Sequence, residues 1–71
     1  MQPNFTFERL AFVTGYEHAM QAEAQPSWRD VARRFPAWSD GQVEAYLNGH
    51  EDGMRGDATR VTAVRRLLAE G

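Results

Sequence analysis

The sequence predicts an all-α fold: four helices in one small domain, arranged as two helical hairpins related by a pseudo-two-fold axis. Three observations carry that expectation. The first is an internal repeat. Residues 11–23 (AFVTGYEHAMQAE) align with residues 45–57 (AYLNGHEDGMRGD), 34 positions later. Alanine, glycine, glutamate and methionine recur at 11/45, 15/49, 17/51 and 20/54, and most other positions match in kind. The second is a pair of helix start signals, Ser27 with Asp30 and Ser39 with Gln42. In each, a serine and a side chain three residues on can satisfy one another's backbone donors. The third is the length of 71 residues, which bounds the chain to a single domain, 1–71.

The repeat has a physical meaning. Small residues fall at i, i+4 and i+7 in both copies: Gly15, Ala19 and Ala22, then Gly49, Gly53 and Gly56. On a helix these positions share one face. A glycine inside a helix costs about 1 kcal/mol relative to alanine. Close approach of another backbone is the usual compensation. Gly15, Ala19, Gly49 and Gly53 are therefore expected to form the crossing of two long helices. Gly56 is expected to end its helix instead.

In chain order, Met1 to Asn4 lead in, with Pro3 breaking regularity. Asn4 or Thr6 is expected to cap a first helix running to about Ala24. Its apolar residues are Phe5, Phe7, Leu10, Phe12, Val13, Tyr16 and Met20. They cover more than one face, as in a helix buried on two sides. Pro26 stops it. Trp28, Val31, Ala32 and Phe35 have the spacing of a short amphipathic helix, which Pro36 ends. Trp38 stands where it can staple onto Val43. A third helix is expected from about Asp40 to Arg55, with Val43, Tyr46, Leu47, His50 and Met54 inward and a Glu51–Arg55 ion pair outward. Asp57 is placed to cap a fourth, Ala58 to Glu70, with Val61, Val64, Leu67 and Leu68 as its buried stripe. The β-branched run Thr59 to Val64 also suits a strand, but its continuation, RRLLAE, favours helix. Residues 31–35 (VARRF) echo 63–67 (AVRRL), extending the repeat to about 11–35 and 45–67.

Composition narrows the function classes. There is no cysteine, which excludes disulfides, thiolate catalysis and cysteine-ligated zinc. No apolar run approaches the ~20 residues of a membrane span, and no secretory signal pattern opens the chain. A cytoplasmic protein without a membrane partner is expected. The net charge of −2 is too small for an acidic DNA mimic or a basic nucleic-acid binder. All eight cations are arginine, and lysine and isoleucine are missing, a skew that fits a GC-rich genome. A chain this short buries only about 60% of its unfolded surface, so a homodimer would add stability.

Asn48-x-His50-x-Asp52-Gly53 is similar to the start of an EF-hand loop, but Thr59 stands where the bidentate glutamate is needed. His18, His50, Glu17, Glu51 and Asp52 are candidate metal ligands or acid/base groups. The histidines lack the i, i+4 spacing of a helical site. His50 takes the place of Tyr16 in the repeat, which makes it a packed ring at the helix seam, and His18 reads as a surface residue. Arg55-Gly56-Asp57 spells an integrin-ligand tripeptide and reads more simply as a helix end and a cap. No glycine-rich phosphate loop or serine nucleophile motif is present. No catalytic residue, metal or cofactor is expected.

The remaining candidates concern partners. Arg29, Arg33 and Arg34 lie on the second element of one half, and Arg60, Arg65 and Arg66 on that of the other. They form either paired phosphate-binding patches or a solvated face balanced by the ten acidic residues. Trp38, in the loop after Pro36, is a candidate interface anchor, since tryptophan, tyrosine and arginine dominate binding hot spots.

Gly15-Tyr16-x-x-Ala19-x-x-Ala22, with its second copy at 49–56, resembles the Gly-Tyr helix motif of the ribosome modulation factor family. The resemblance covers about a third of the chain. The spacing between copies is longer here, the family's intervening Cys-Pro is missing, and the family is strongly basic. The resemblance implies a helical-pair fold in which Gly15, Tyr16, Gly49 and Gly53 are structural, and ribosome or RNA contacts made by the arginines. Two functions are expected in order. The first is a non-enzymatic helical module that binds and inhibits or modulates a protein partner, similar in type to small inhibitors encoded by phages and mobile elements, including anti-CRISPR proteins. The second is a ribosome or RNA binder.

Overall fold

A computed structural model of the chain describes residues 4–21 and 23–70, without the side chains of Asn4 and Phe5. The expected lead-in at Met1 to Pro3 and the small residue Ala22 lie outside the described residues. Four helices form: α1 (Asn4–Met20), α2 (Trp28–Arg34), α3 (Asp40–Arg55) and α4 (Thr59–Glu70). The 59–64 run is therefore helical, and no strand occurs among the described residues.

Local chemistry explains most boundaries. Both serine boxes close: Ser27 Oγ accepts from Asp30 N at 3.1 Å, and Ser39 Oγ from Gln42 N at 3.3 Å. Asp30 and Gln42 in turn accept from the serine backbone amides. Gly56 ends α3 in the left-handed region, φ 70°, where an L side chain is strained. Its amide and that of Asp57 turn back onto carbonyls of the last turn. Asp57 accepts from Thr59 N at 3.0 Å, and Thr62 N donates to the carbonyl of Ala58, so α4 opens at Thr59 rather than Ala58. The first helix departs from expectation at both ends. Asn4 and Thr6 lie within α1 instead of capping it, and it stops at Met20 instead of continuing to Ala24. There Gln21 N donates to the carbonyls of Glu17 and His18, and Glu23 N to that of His18, which turns the chain out of the helix.

The repeat closes on itself in space. A Cβ built on Gly15 would stand 2.1 Å from the carbonyl oxygen of Tyr46, and one on Gly49 would stand 2.0 Å from that of Phe12. Phe12 and Tyr46 are themselves repeat counterparts, so the two contacts are images of one another. Gly53 packs on Ala19 and on the carbonyl of Tyr16. Contacts advance together along both helices, from Glu8 with Gly41 through Phe12 with Gly49 to Ala19 with Gly53. Thus α1 and α3 run parallel, crossing backbone to backbone.

A parallel pair needs a return connection, and residues 21–39 with α2 supply it. The two short helices then cross over: α2 lies against α3, and α4 against α1. Each half seats its short helix on the long helix of the other half, and the two halves do so alike. Val31 (1% exposed) is buried with Ala11, Val43 and Tyr46, while Val61 (0%) is buried with Phe12 and Tyr16. The valines therefore share a role, although the sequence echo had set Val31 opposite Ala63.

The protein is thin. Its backbone measures 31 × 27 × 13 Å, and the short dimension is that of two packed helix backbones, each about 4.6 Å across with axes about 8–10 Å apart. Large apolar side chains are left uncovered as a result. Phe7, Leu10 and Met20 on α1, Met54 on α3 and Leu67 on α4 are all exposed. This corrects the expectation that α1 is buried on two sides, that Met54 points inward and that Leu67 belongs to a buried stripe.

Candidate functional site

The short helix α2 has an inner and an outer side. Val31 is buried on the inner side, and Phe35, just past the helix, stacks on Trp38 with centroids 3.9 Å apart and planes 9° apart. Trp28, at the first position of α2, is 42% exposed, and the outer side shows Arg29 and Arg33. These two arginines are spaced i, i+4 and share a face. Neither has an ion pair or hydrogen-bond partner among the described residues.

The six candidate arginines divide into two kinds. Arg34 pairs with Glu23 at 3.3 Å and lies over the Phe35 ring. Arg65 pairs with Glu17 at 3.1 Å and lies over Tyr16. Arg60 donates to both oxygens of Asp52, Nε at 2.8 Å and Nη2 at 2.9 Å, and lies over Phe12. Arg29, Arg33 and Arg66 are exposed and carry no such partner among the described residues. The arginines are thus not one patch: three brace the fold and three face solvent. Trp38 is half-buried against the cluster of Ala11, Val31, Val43 and Tyr46, with its ring 5.8 Å from that of Tyr46 by centroid. The exposed indole is Trp28.

Asp52 is 0% exposed. Its carboxyl is held below its usual range, first by the Arg60 hydrogen bonds and against the opposing effect of burial, with Arg55 adding further attraction. Arg60 is raised by the same bond. A buried carboxylate needs this pairing, because its desolvation is costly. Arg55 also reaches Glu51 at 3.8 Å, the expected i, i+4 pair, but its closer partner is Asp52. The segment that is similar to an EF-hand loop is helical, and its aspartate is committed to this clamp.

On the other side of the crossing the repeat diverges chemically. Where the first copy has Phe12 and Tyr16, the second has Tyr46 and His50, both 0% exposed. The Tyr46 hydroxyl and His18 Nδ1 are 2.6 Å apart, with the rings edge to face. His18 is therefore a half-buried partner of Tyr46, not the surface residue that the sequence suggested. Glu23 stands 3.9 Å from His18 Nδ1 and 3.3 Å from Arg34. Gln25 Oε1 lies 2.7 Å from His50 Nδ1, while His50 Nε2 is buried with no partner. Burial raises Tyr46, opposed by Arg34. Burial also lowers His50, with Glu23 opposing and His18 reinforcing. Neither buried ring offers surface to a substrate. No group of three potential ligands is placed for a metal among the described residues.

An open groove of about 250 Å³ lies between α1, α3 and α4, lined by Glu8, Arg9, Phe12, Ala45 and Val64. Its floor is apolar, and its two charges are of opposite sign. No helix among the described residues is long and apolar enough to cross a membrane. Comparison with protein families, with curated proteins and with solved structures returns no match to the chain.

Proposed function

We propose that the protein is a non-enzymatic helical interaction module whose recognition element is α2, and that it modulates or inhibits a protein partner by covering an acidic surface patch. The observation that carries this reading is that α2 exposes Trp28 together with Arg29 and Arg33, neither arginine having a partner among the described residues. A tryptophan supplies apolar area at low entropic cost, and arginine forks onto carboxylates in a planar, bidentate geometry. The helix that carries them is short, yet it is pinned by a complete capping box and by buried Val31. That pinning reduces the ordering cost of binding. Setting Arg34, Arg60 and Arg65 on internal acids leaves a small cationic face on a chain of net charge −2, which favours a local acidic patch over a long phosphate backbone. A role similar to that of the small inhibitors of phages and mobile elements is the natural extension.

The test is affinity capture from the native host with the wild-type chain and with a Trp28→Ala/Arg29→Glu/Arg33→Glu variant that retains its melting curve. Binding that vanishes in the variant and survives nuclease treatment supports the reading. Unchanged binding by the variant overturns it. Capture that is nuclease-sensitive and falls by orders of magnitude between about 50 and about 200 mM salt, as several arginine–phosphate contacts require, selects the ribosome or RNA reading instead.

A further inference from the structure

The connector from α1 into α2 is fastened over α3 by a histidine that has no means of accommodating a charge. Gln25, in that connector, offers Oε1 to His50 Nδ1 at 2.7 Å. With that oxygen as acceptor, the neutral ring carries its proton on Nδ1 and leaves Nε2 bare. Nε2 is buried and unpartnered, and the whole side chain is 0% exposed. A second proton would create an N–H with no acceptor and a full charge with no water, both of which the interior strongly disfavours.

We infer that His50 is a proton-sensitive latch on the recognition helix: neutral, it holds the connector and α2 closed against α3, and on protonation it lets them lift away. The inference rests on α2 being the recognition surface. The charges near the latch come from α1, the connector and α2. His18 approaches from α1 and Glu23 from the connector, and Arg34 on α2 already occupies Glu23 at 3.3 Å. Tyr46 of α3 lies next along the ring chain, 6.1 Å from His50 by centroid. Arg60 and Arg65 of α4 are turned to Asp52 and Glu17. Glu23 alone favours a charged His50, and its pull is shared with Arg34. Once the connector lifts, His50 meets water and protonates near its ordinary value of 6.5. The open form therefore binds the extra proton, and acid favours opening. The backbone carbonyls that Gly15 and Gly49 approach do not titrate and are not carried by the connector, so that part of the α1–α3 crossing stays closed.

Hydrogen exchange on the full chain tests this, read as protection factors from about pH 7.5 to about pH 5. Protection of residues 23–35 should fall about tenfold per pH unit below about 6.5, as one-proton linkage requires. Amides of Gly15 and Gly49 should keep theirs. Gln25→Glu sets a carboxylate against His50 Nδ1 and should move the fall to lower pH. His50→Tyr, which copies the residue at the equivalent place in the first repeat, should abolish it. If His50→Tyr does not fold, Gln25→Glu at its exposed position decides alone. Three results would overturn the latch: constant protection in the wild type, a fall that is equal across all helices, or a fall that Gln25→Glu leaves in place. No partner is present in the measurement, so its failure leaves the binding role of α2 standing. Loss of that role by the α2 variants near neutral pH would leave the latch without a purpose but still measurable.

Discussion

Asp52 and Arg60 form a bond whose two ends are unequal. Asp52 is fully buried, whereas the Arg60 side chain is 55% exposed. Arg60→Ala strands a carboxylate away from water, with only Arg55 left beside it. Asp52→Asn leaves an arginine that solvent can take up. The first change should cost about 3 kcal/mol and the second about 1 kcal/mol, as measured by urea denaturation at neutral pH. Equal costs would show that Asp52 is not desolvated as described. The acid dependence has two parts with the same sign. Asp52 is depressed in the folded state, so its contribution is complete above its unfolded value of 3.8 and is lost as pH falls from there towards the folded value. His50 is also depressed, so its contribution is complete above 6.5 and begins to be lost below it. A stability–pH curve should therefore start to fall near pH 6.5, well before the carboxylates titrate. His50→Tyr should remove that first decline and keep the second.

Helix boundaries were legible wherever the signal is local. The capping boxes at Ser27 and Ser39 and the glycine at 56 each satisfy backbone groups within a few residues, so their chemistry can be read from neighbouring letters. Ser39→Ala should cost about 1 kcal/mol, seen as a lower urea midpoint at constant slope. An unchanged midpoint would mean that α3 starts without its cap. The end of α1 was not legible, because what stops it is distant. The chain must leave the helix after Met20 if Glu23 and Gln25 are to reach His18, Arg34 and His50, and nothing in the residues 21–24 announces those partners. The candidate site follows the same division. That α2 carries arginines was plain in the sequence. Which arginines are free was not, because Glu17 and Arg65 lie 48 positions apart and Asp52 meets Arg60 only after the chain turns at Gly56. Trp28 and Trp38 are alike by composition and are separated only by the stack of Phe35 on Trp38.

At the scale of the molecule, one pattern written twice has become a parallel helix pair, with each copy's short helix seated on the other copy's long one. That arrangement leaves a backbone 13 Å thick with several large apolar side chains outside. The crossing of α1 and α3 is the contact on which both short helices are seated. Three glycines inside α3 or α1 separate this account from a looser one. Alanine is the better helix former by about 1 kcal/mol, so a glycine that merely sits in a helix gains stability when replaced. At Gly41 the added methyl would meet only the end of the flexible Glu8 side chain, which can move aside. At Gly15 and Gly49 it would meet backbone carbonyls that cannot. The most direct measurement is thermal melting of Gly15→Ala, Gly49→Ala and Gly41→Ala. Gly15→Ala and Gly49→Ala should each lose about 1–3 kcal/mol by overpacking, several degrees at about 4–8 °C per kcal/mol for a domain of this size, while Gly41→Ala holds or rises. A rise in all three would contradict the backbone-to-backbone crossing.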